Sequence, residues 1–214
     1  MYLPLDIPSI KPNDPELFLS WFLERAKTVN KVRADVAGDA YKADRTFLSV
    51  NSPNQLDDIW EQNKHDVLTE FPEIAEGIKA LPFDGEPEFS LWSSERPVGL
   101  HRDQSPWEDM PSSFRIMLYD NNPRETLFIR QCVPGASNSN PILPLARTDT
   151  NVFGWNNVRA KHGSSYHDDH IKILMIFTRA TMNLEKCEDL LERSVQKYGN
   201  LAHLSKKALP EFIG

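Results

Sequence analysis

Of the chain's 214 residues, 40% are hydrophobic and 26% charged, enough apolar material for a core and too much for wholesale disorder. Basic residues number 24 and acidic residues 31, and the resulting net charge of −7 excludes a broad basic track for nucleic acid. No apolar run approaches the ~18 residues of a membrane span, Met1-Tyr2-Leu3-Pro4-Leu5-Asp6 lacks a signal peptide's basic region, and Cys132 and Cys187 allow one bridge at most.

In chain order, Asn13-Asp14-Pro15-Glu16 places a polar cap before a proline, a helix start, and Leu19, Phe22, Leu23, Ala26 and Val29 follow at helical spacing. A second helix is predicted after Asn51-Ser52-Pro53 with Leu56, Ile59, Trp60 and Val67, and a third after Phe71-Pro72 with Ile74, Ile78 and Leu81. The middle of the chain reads as strands. Glu88–Trp92 is one, and Phe114–Tyr119 and Thr126–Cys132 flank Asp120-Asn121-Asn122-Pro123 as a predicted hairpin. Val152–Trp155 and Ile171–Phe177 are two more, after which Asn183 caps a last helix carrying Leu184, Cys187, Leu190, Leu191 and Val195 and stopping near Gly199. Short strands joined by Pro/Asn loops predict a barrel or sandwich with helices outside it. The expectation is a soluble, cytoplasmic single domain, 1–214. Residues 1–85 form a helical N-terminal support, 86–180 a β-barrel core with the metal site, and 181–214 a C-terminal helical segment.

Two of these strands share an anomaly. Ile171–Phe177 is apolar on both faces except at Lys172, which shares a face with Leu174 and Ile176. Phe114–Tyr119 is apolar on both faces except at Arg115, which shares a face with Met117 and Tyr119. A cation there must be paired or near a strand end, because an unpaired buried charge is too costly. Each taken singly reads as a strand-end cation reaching water. Taken together, close to two histidines, they read as an anion site.

His101-Arg102-Asp103 sets two metal-ligating residue types at i and i+2, which an extended segment projects from one face. Two histidines and one carboxylate suit Fe(II), leaving positions open for oxygen and a co-substrate. The pattern recurs at His167-Asp168-Asp169, but the only distant histidine after that copy is His203, in a helix-like stretch. After the first copy come Trp155, His162 and the strand carrying Lys172. The local trio His162, His167 and His170 is an alternative, a zinc site without cysteine or standard spacing. No glycine-rich phosphate loop, nucleophile elbow or paired-cysteine motif is present.

The order His-x-Asp, a second histidine some tens of residues later, and a basic residue ten further along on the next strand resembles the Fe(II)/2-oxoglutarate-dependent oxygenase superfamily. Phe153-Gly154-Trp155 through His162-Gly163 to Lys172-Ile173-Leu174-Met175-Ile176-Phe177 resembles its distal motif, and the resemblance covers about residues 88–178. Arg115 in a hydrophobic strand after the first histidine resembles the aspartyl/asparaginyl hydroxylase-like branch, with the prolyl hydroxylase-like branches also close. That branch commonly lacks the metal carboxylate that Asp103 offers here, and it uses arginine where this chain has Lys172.

The resemblance implies a mainly β fold with flanking helices (α+β), a double-stranded β-helix or jelly-roll, cupin-like barrel. It implies Fe(II) held by His101, Asp103 and His162, with 2-oxoglutarate as co-substrate and its far carboxylate on Lys172. Arg115 is a second candidate for that carboxylate or for one on the substrate, and Tyr119 and Trp155 are candidates to line the pocket. The implied activity is that of a dioxygenase (hydroxylase) acting on an amino-acid or peptidyl side chain, its partners being O2 and a small-molecule or peptide substrate. Trp92, Trp107 and Trp155, with Glu108 and Asp109 nearby, suit such a ligand better than long nucleic acid. The rival readings are a cupin-type metal-dependent isomerase or hydrolase, and a non-catalytic barrel that binds or supports a partner.

Overall fold

The first helix begins where the sequence places its cap. In α1 (Pro15–Ala37) the Asp14 carboxylate accepts from the backbone N–H groups of Glu16 (3.1 Å) and Leu17 (3.0 Å), and Pro15 has no N–H to satisfy. Phe18, Trp21, Phe22 and Ala26 form its buried stripe. The computed structural model describes residues 2–37, 47–49, 57–94, 98–101, 114–121, 127–130, 143–144, 147–155, 161–164 and 171–201. Helix α2 (Asp57–Glu70) is followed by the short α3 (Pro72–Ile78), entered through Phe71 with Pro72 in its first turn. The Phe71 ring lies edge-on to Phe18 at 5.1 Å and to Trp21 at 5.9 Å, joining α1 to that corner. In α4 (Leu184–Tyr198) the Asn183 side chain accepts from the Lys186 N–H at 3.0 Å, and Cys187, Leu190, Leu191 and Tyr198 turn inward. Cys187 is a free thiol, pushed up in pKa by burial.

The strands are β1 (Tyr2–Pro4), β2 (Phe47–Ser49), β3 (Phe83–Ser94), β4 (Val98–His101), β5 (Phe114–Asp120), β6 (Leu127–Arg130), β7 (Leu143–Pro144), β8 (Val152–Trp155), β9 (Lys161–Ser164) and β10 (Lys172–Met182). They form two antiparallel sheets. The six-stranded sheet has the order β1-β8-β5-β10-β3-β2 and is open, and the four-stranded sheet has the order β4-β9-β6-β7. The architecture is α+β. The N-terminal part of the chain supplies both edge strands of the larger sheet as well as helices.

The predicted hairpin is not formed. Strands β5 and β6 lie in different sheets: β5 pairs with β8 on one edge and β10 on the other, while β6 pairs with β7 and β9. The reason is that β5 has both edges occupied inside the larger sheet, so none remains for its successor in sequence. From β3 onward, β3, β5, β8 and β10 belong to the larger sheet and β4, β6, β7 and β9 to the smaller.

One face of the larger sheet packs on the helices. Phe89, Leu91, Phe114, Ile116, Val152, Ile173, Met175 and Phe177 share one core with the buried stripes of α1, α3 and α4. Phe83 sits among the rings, 5.0 Å from Phe177 and 5.5 Å from Phe114. On the sheet's other face Tyr2, Phe153 and Leu174 form a second cluster, flanked by Met117 and Ile176. Among the described residues no helix is long and apolar enough to cross a membrane.

Candidate functional site

Strands β4 and β9 are neighbours in the smaller sheet, and their ladder sets His101 directly opposite His162. His162 is 6% exposed. Asp103, the carboxylate expected beside them, lies outside the described residues, as do His167 and His170 of the zinc alternative. Among the described residues, no group of three or more His, Cys, Asp or Glu is gathered as a metal site.

The two cations occupy opposite ends of one strand pair. Lys172, the first residue of β10, lies across from Asp120, the last of β5. It stands at a strand end, yet its exposure is only 5%. Arg115 lies across from Ile176 on one side and Phe153 on the other and is 2% exposed, its Nη1 donating to the Phe114 carbonyl at 2.9 Å. Alternation along β10 puts Lys172, Leu174 and Ile176 on one face, so both cations belong to the face turned away from the helices.

The expected common face of Arg115, Met117 and Tyr119 holds only in part. The ladder slips between Ile173, opposite Tyr119, and Leu174, opposite Met117, which leaves Leu118 as an extra residue in β5. Such a bulge re-aims the side chains around it. Met117 flanks the Leu174 cluster, whereas Tyr119 packs on the helix-side core and its hydroxyl donates to Glu16 of α1 at 3.2 Å.

A cavity of about 530 Å³ opens beside Lys172. Tyr2, Leu118, Phe153 and Lys172 are its buried lining residues, and Lys11, Glu16, Asp120 and Arg147 stand at its rim. Tyr119 lines it too; the side chain of Trp155 lies outside the described set. Residues 147–151 form one wall, held at three points. Arg147 donates to Asp120 at 3.1 Å. The Asn151 amide accepts from the Ile10 N–H at 2.8 Å and donates to the carbonyls of Ile10 and Met117 at 2.6 Å each. Asp149 accepts from the Tyr198 hydroxyl and pairs with Lys197 of α4 at 3.2 Å. The Tyr198 hydroxyl and then Lys197 hold the Asp149 carboxyl below its usual range, and burial pushes the Tyr2 phenol well above its own.

Tyr2 and Asn151 were not legible as site residues. A three-residue edge strand is too short to show a period, although the apolar run Tyr2-Leu3-Pro4-Leu5 was a usable signal. Nothing local distinguishes an asparagine that bonds across the fold from one in a loop. The chain matches no protein-family model and no curated protein.

Proposed function

We propose that the chain is an Fe(II)- and 2-oxoglutarate-dependent oxygenase that hydroxylates an amino-acid or peptidyl side chain, built on a double-stranded β-helix. The observation that carries the reading is the register of His101 against His162. Directly opposed positions on antiparallel neighbours share a face, with Cβ atoms about 4.5–5.5 Å apart. That is a spacing at which two imidazoles reach one ion, and burial at His162 suits a ligand kept from water.

The sheet order supports the fold. Strand β3 pairs with β10, β4 with β9, β5 with β8 and β6 with β7. This is the pairing of one long antiparallel ribbon, and successive segments of that ribbon fall into alternate sheets, as in a jelly roll. Burial of both faces of β5 fits a larger sheet covered by helices on one side and by a second layer on the other.

In this reading His101, His162 and Asp103 hold Fe(II), a ligand set of two imidazoles and a carboxylate that suits it. Lys172 neutralises the far carboxylate of 2-oxoglutarate, and Phe153, Leu174 and Met117 keep water from that contact. Arg115, deeper along the same face, is the candidate for a carboxylate on the substrate. When bound, the metal with O2 and 2-oxoglutarate supplies oxidative decarboxylation to succinate and CO2, coupled to hydroxylation. The acidic chain, at net −7, favours a small or peptidyl substrate over long nucleic acid.

Anaerobic titration with Fe(II) and then 2-oxoglutarate, followed by oxygen and a succinate assay, tests the reading. Asp103→Ala is expected to weaken metal binding strongly, and Asp169→Ala to leave it unchanged. Metal binding that survives Asp103→Ala but collapses with His167→Ala or His170→Ala would move the site to the local turn. Metal uptake without succinate would point to the cupin-type isomerase or hydrolase, and no uptake to a non-catalytic barrel. Free amino acids, short peptides and single-stranded DNA, compared for stimulation of succinate release, separate the substrate classes; stimulation by DNA alone would overturn the amino-acid assignment.

A further inference from the structure

Among the described residues three carboxylates line the cavity beside Lys172, and each is held by a donor. Glu16 accepts from the Tyr119 hydroxyl at 3.2 Å, and Asp149 from the Tyr198 hydroxyl and Lys197. The third, Asp120, lies directly across the β5–β10 ladder from Lys172. Directly opposed residues share a face, with Cβ atoms about 4.5–5.5 Å apart. Just beyond them the two strand ends are clasped. The Asn121 N–H donates to the Ile171 carbonyl at 3.1 Å, and the Asn121 side chain accepts from the Ile171 N–H at 2.8 Å. Asp120 thus sets a negative charge beside the Lys172 ammonium, and its side chain is only 20% exposed, so water and salt screen it in part. Its donor is Arg147, at 3.1 Å.

An ammonium facing a carboxylate is a neutral pair with little pull on an incoming anion, which the carboxylate also repels. A guanidinium on that carboxylate leaves the three groups with one net positive charge. Arg147 is brought there by the wall 147–151, which Asn151 pins to Ile10 and Met117, and Asp149 to α4. We propose that Arg147 is a positioning residue for the ligand carboxylate assigned to Lys172. It acts through Asp120: by taking up that carboxylate it keeps this end of the cavity cationic. The proposal rests on the oxygenase reading for the ligand, a dicarboxylate with one end at Lys172.

Calorimetric titration of the full chain, Fe(II)-loaded without oxygen, tests it with 2-oxoglutarate, glutarate and 2-oxobutyrate, the last lacking the far carboxylate. Arg147→Gln is expected to weaken both dicarboxylates about tenfold and to leave 2-oxobutyrate binding as in the wild type. Asp120→Asn is expected to bind the dicarboxylates at least as tightly as the wild type. Adding Arg147→Gln to Asp120→Asn should then cost less than about twofold, because no carboxylate charge remains to be held. An equal loss in both backgrounds, or a loss in Asp120→Asn itself, overturns the proposal, as does a loss that extends to 2-oxobutyrate. Arg147→Gln that binds both dicarboxylates as tightly as the wild type, where Lys172→Met does not, overturns the role of Arg147 and leaves the oxygenase reading standing. A wild type that binds neither dicarboxylate overturns both. The expected charge dependence, in a protein that never forms succinate, sustains the proposal and removes the oxygenase reading.

Discussion

The two faces of the six-stranded sheet both hold buried residues and are chemically unlike. On β5 the contrast runs residue by residue: Phe114 and Ile116 face the helices, and Arg115 between them faces away, all three buried. The helix side is mainly hydrocarbon, with Phe83, Phe89, Phe114 and Phe177 in ring contact. The other side sets Arg115 and Lys172 among Tyr2, Phe153 and Leu174. Burying a large apolar side chain stabilises by about 1.5–3 kcal/mol, whereas burying a cation costs several kcal/mol before any partner offsets it. The main core is therefore on one face, and the buried cations to which the proposed function assigns an anion are on the other.

The largest expected effect lies on the helix side. Phe177→Ala empties the centre of the ring cluster and should destabilise the chain by about 3–5 kcal/mol in chemical denaturation. A loss below about 1 kcal/mol would mean that this face is not the main core.

Next comes the opposite face, where the two readouts should separate. Lys172→Met should leave stability within about 1.5 kcal/mol, since the new side chain has similar volume. It should weaken 2-oxoglutarate binding by about 2–5 kcal/mol, the loss of a charge-assisted contact in a dry setting. Arg115→Ala is the control at the other end of the strand pair. If Arg115→Ala abolishes 2-oxoglutarate binding and Lys172→Met spares it, the carboxylate sits at the Arg115 end.

The smallest effect belongs to neither face. Lys197 and then Arg193 hold the Asp6 carboxyl below its usual range, as Tyr198 and then Lys197 hold that of Asp149, tying α4 to the segments that border the cavity. Both acids titrate lower in the folded chain than in the unfolded one. Their stabilisation is thus complete above the ordinary carboxylate value near 4 and is lost as pH falls through the folded values. A double variant, Asp6→Asn with Asp149→Asn, should melt slightly earlier at neutral pH and lose less on acidification from about pH 5 to about pH 2. An acid slope identical to that of the wild type would show that these pairs contribute nothing to folding.

Local chemistry was legible and pairing was not. Asp14 and Asn183 act as caps because a cap bonds only to N–H groups two or three residues on. The strands containing Glu88–Trp92, Phe114–Tyr119 and Ile171–Phe177 stand out because they are long and apolar. By contrast β1, β2, β4, β7 and β9 have between two and four residues, too few to carry a period. The hairpin expectation for β5 and β6 failed because neighbours in sequence need not pair when each strand finds its partners elsewhere.

The candidate site divides in the same way. Residue types and their order marked His101, His162, Lys172 and Arg115: a histidine two residues before an acid, a later histidine ahead of an apolar strand, and one cation inside each of two apolar strands. Composition likewise settled the acidic balance and the presence of a core, both being sums over residues that need no coordinates. The fold alone decided that His101 faces His162 across a ladder, that Lys172 and Arg115 lie at opposite ends of one strand pair, and that Tyr2 closes the same cavity as Lys172. Those relations join residues tens to more than a hundred positions apart, through hydrogen-bond registers in which a slip of one residue turns every side chain to the other face. No local pattern encodes such a register, because it is chosen by the packing of both sheets and all the helices at once.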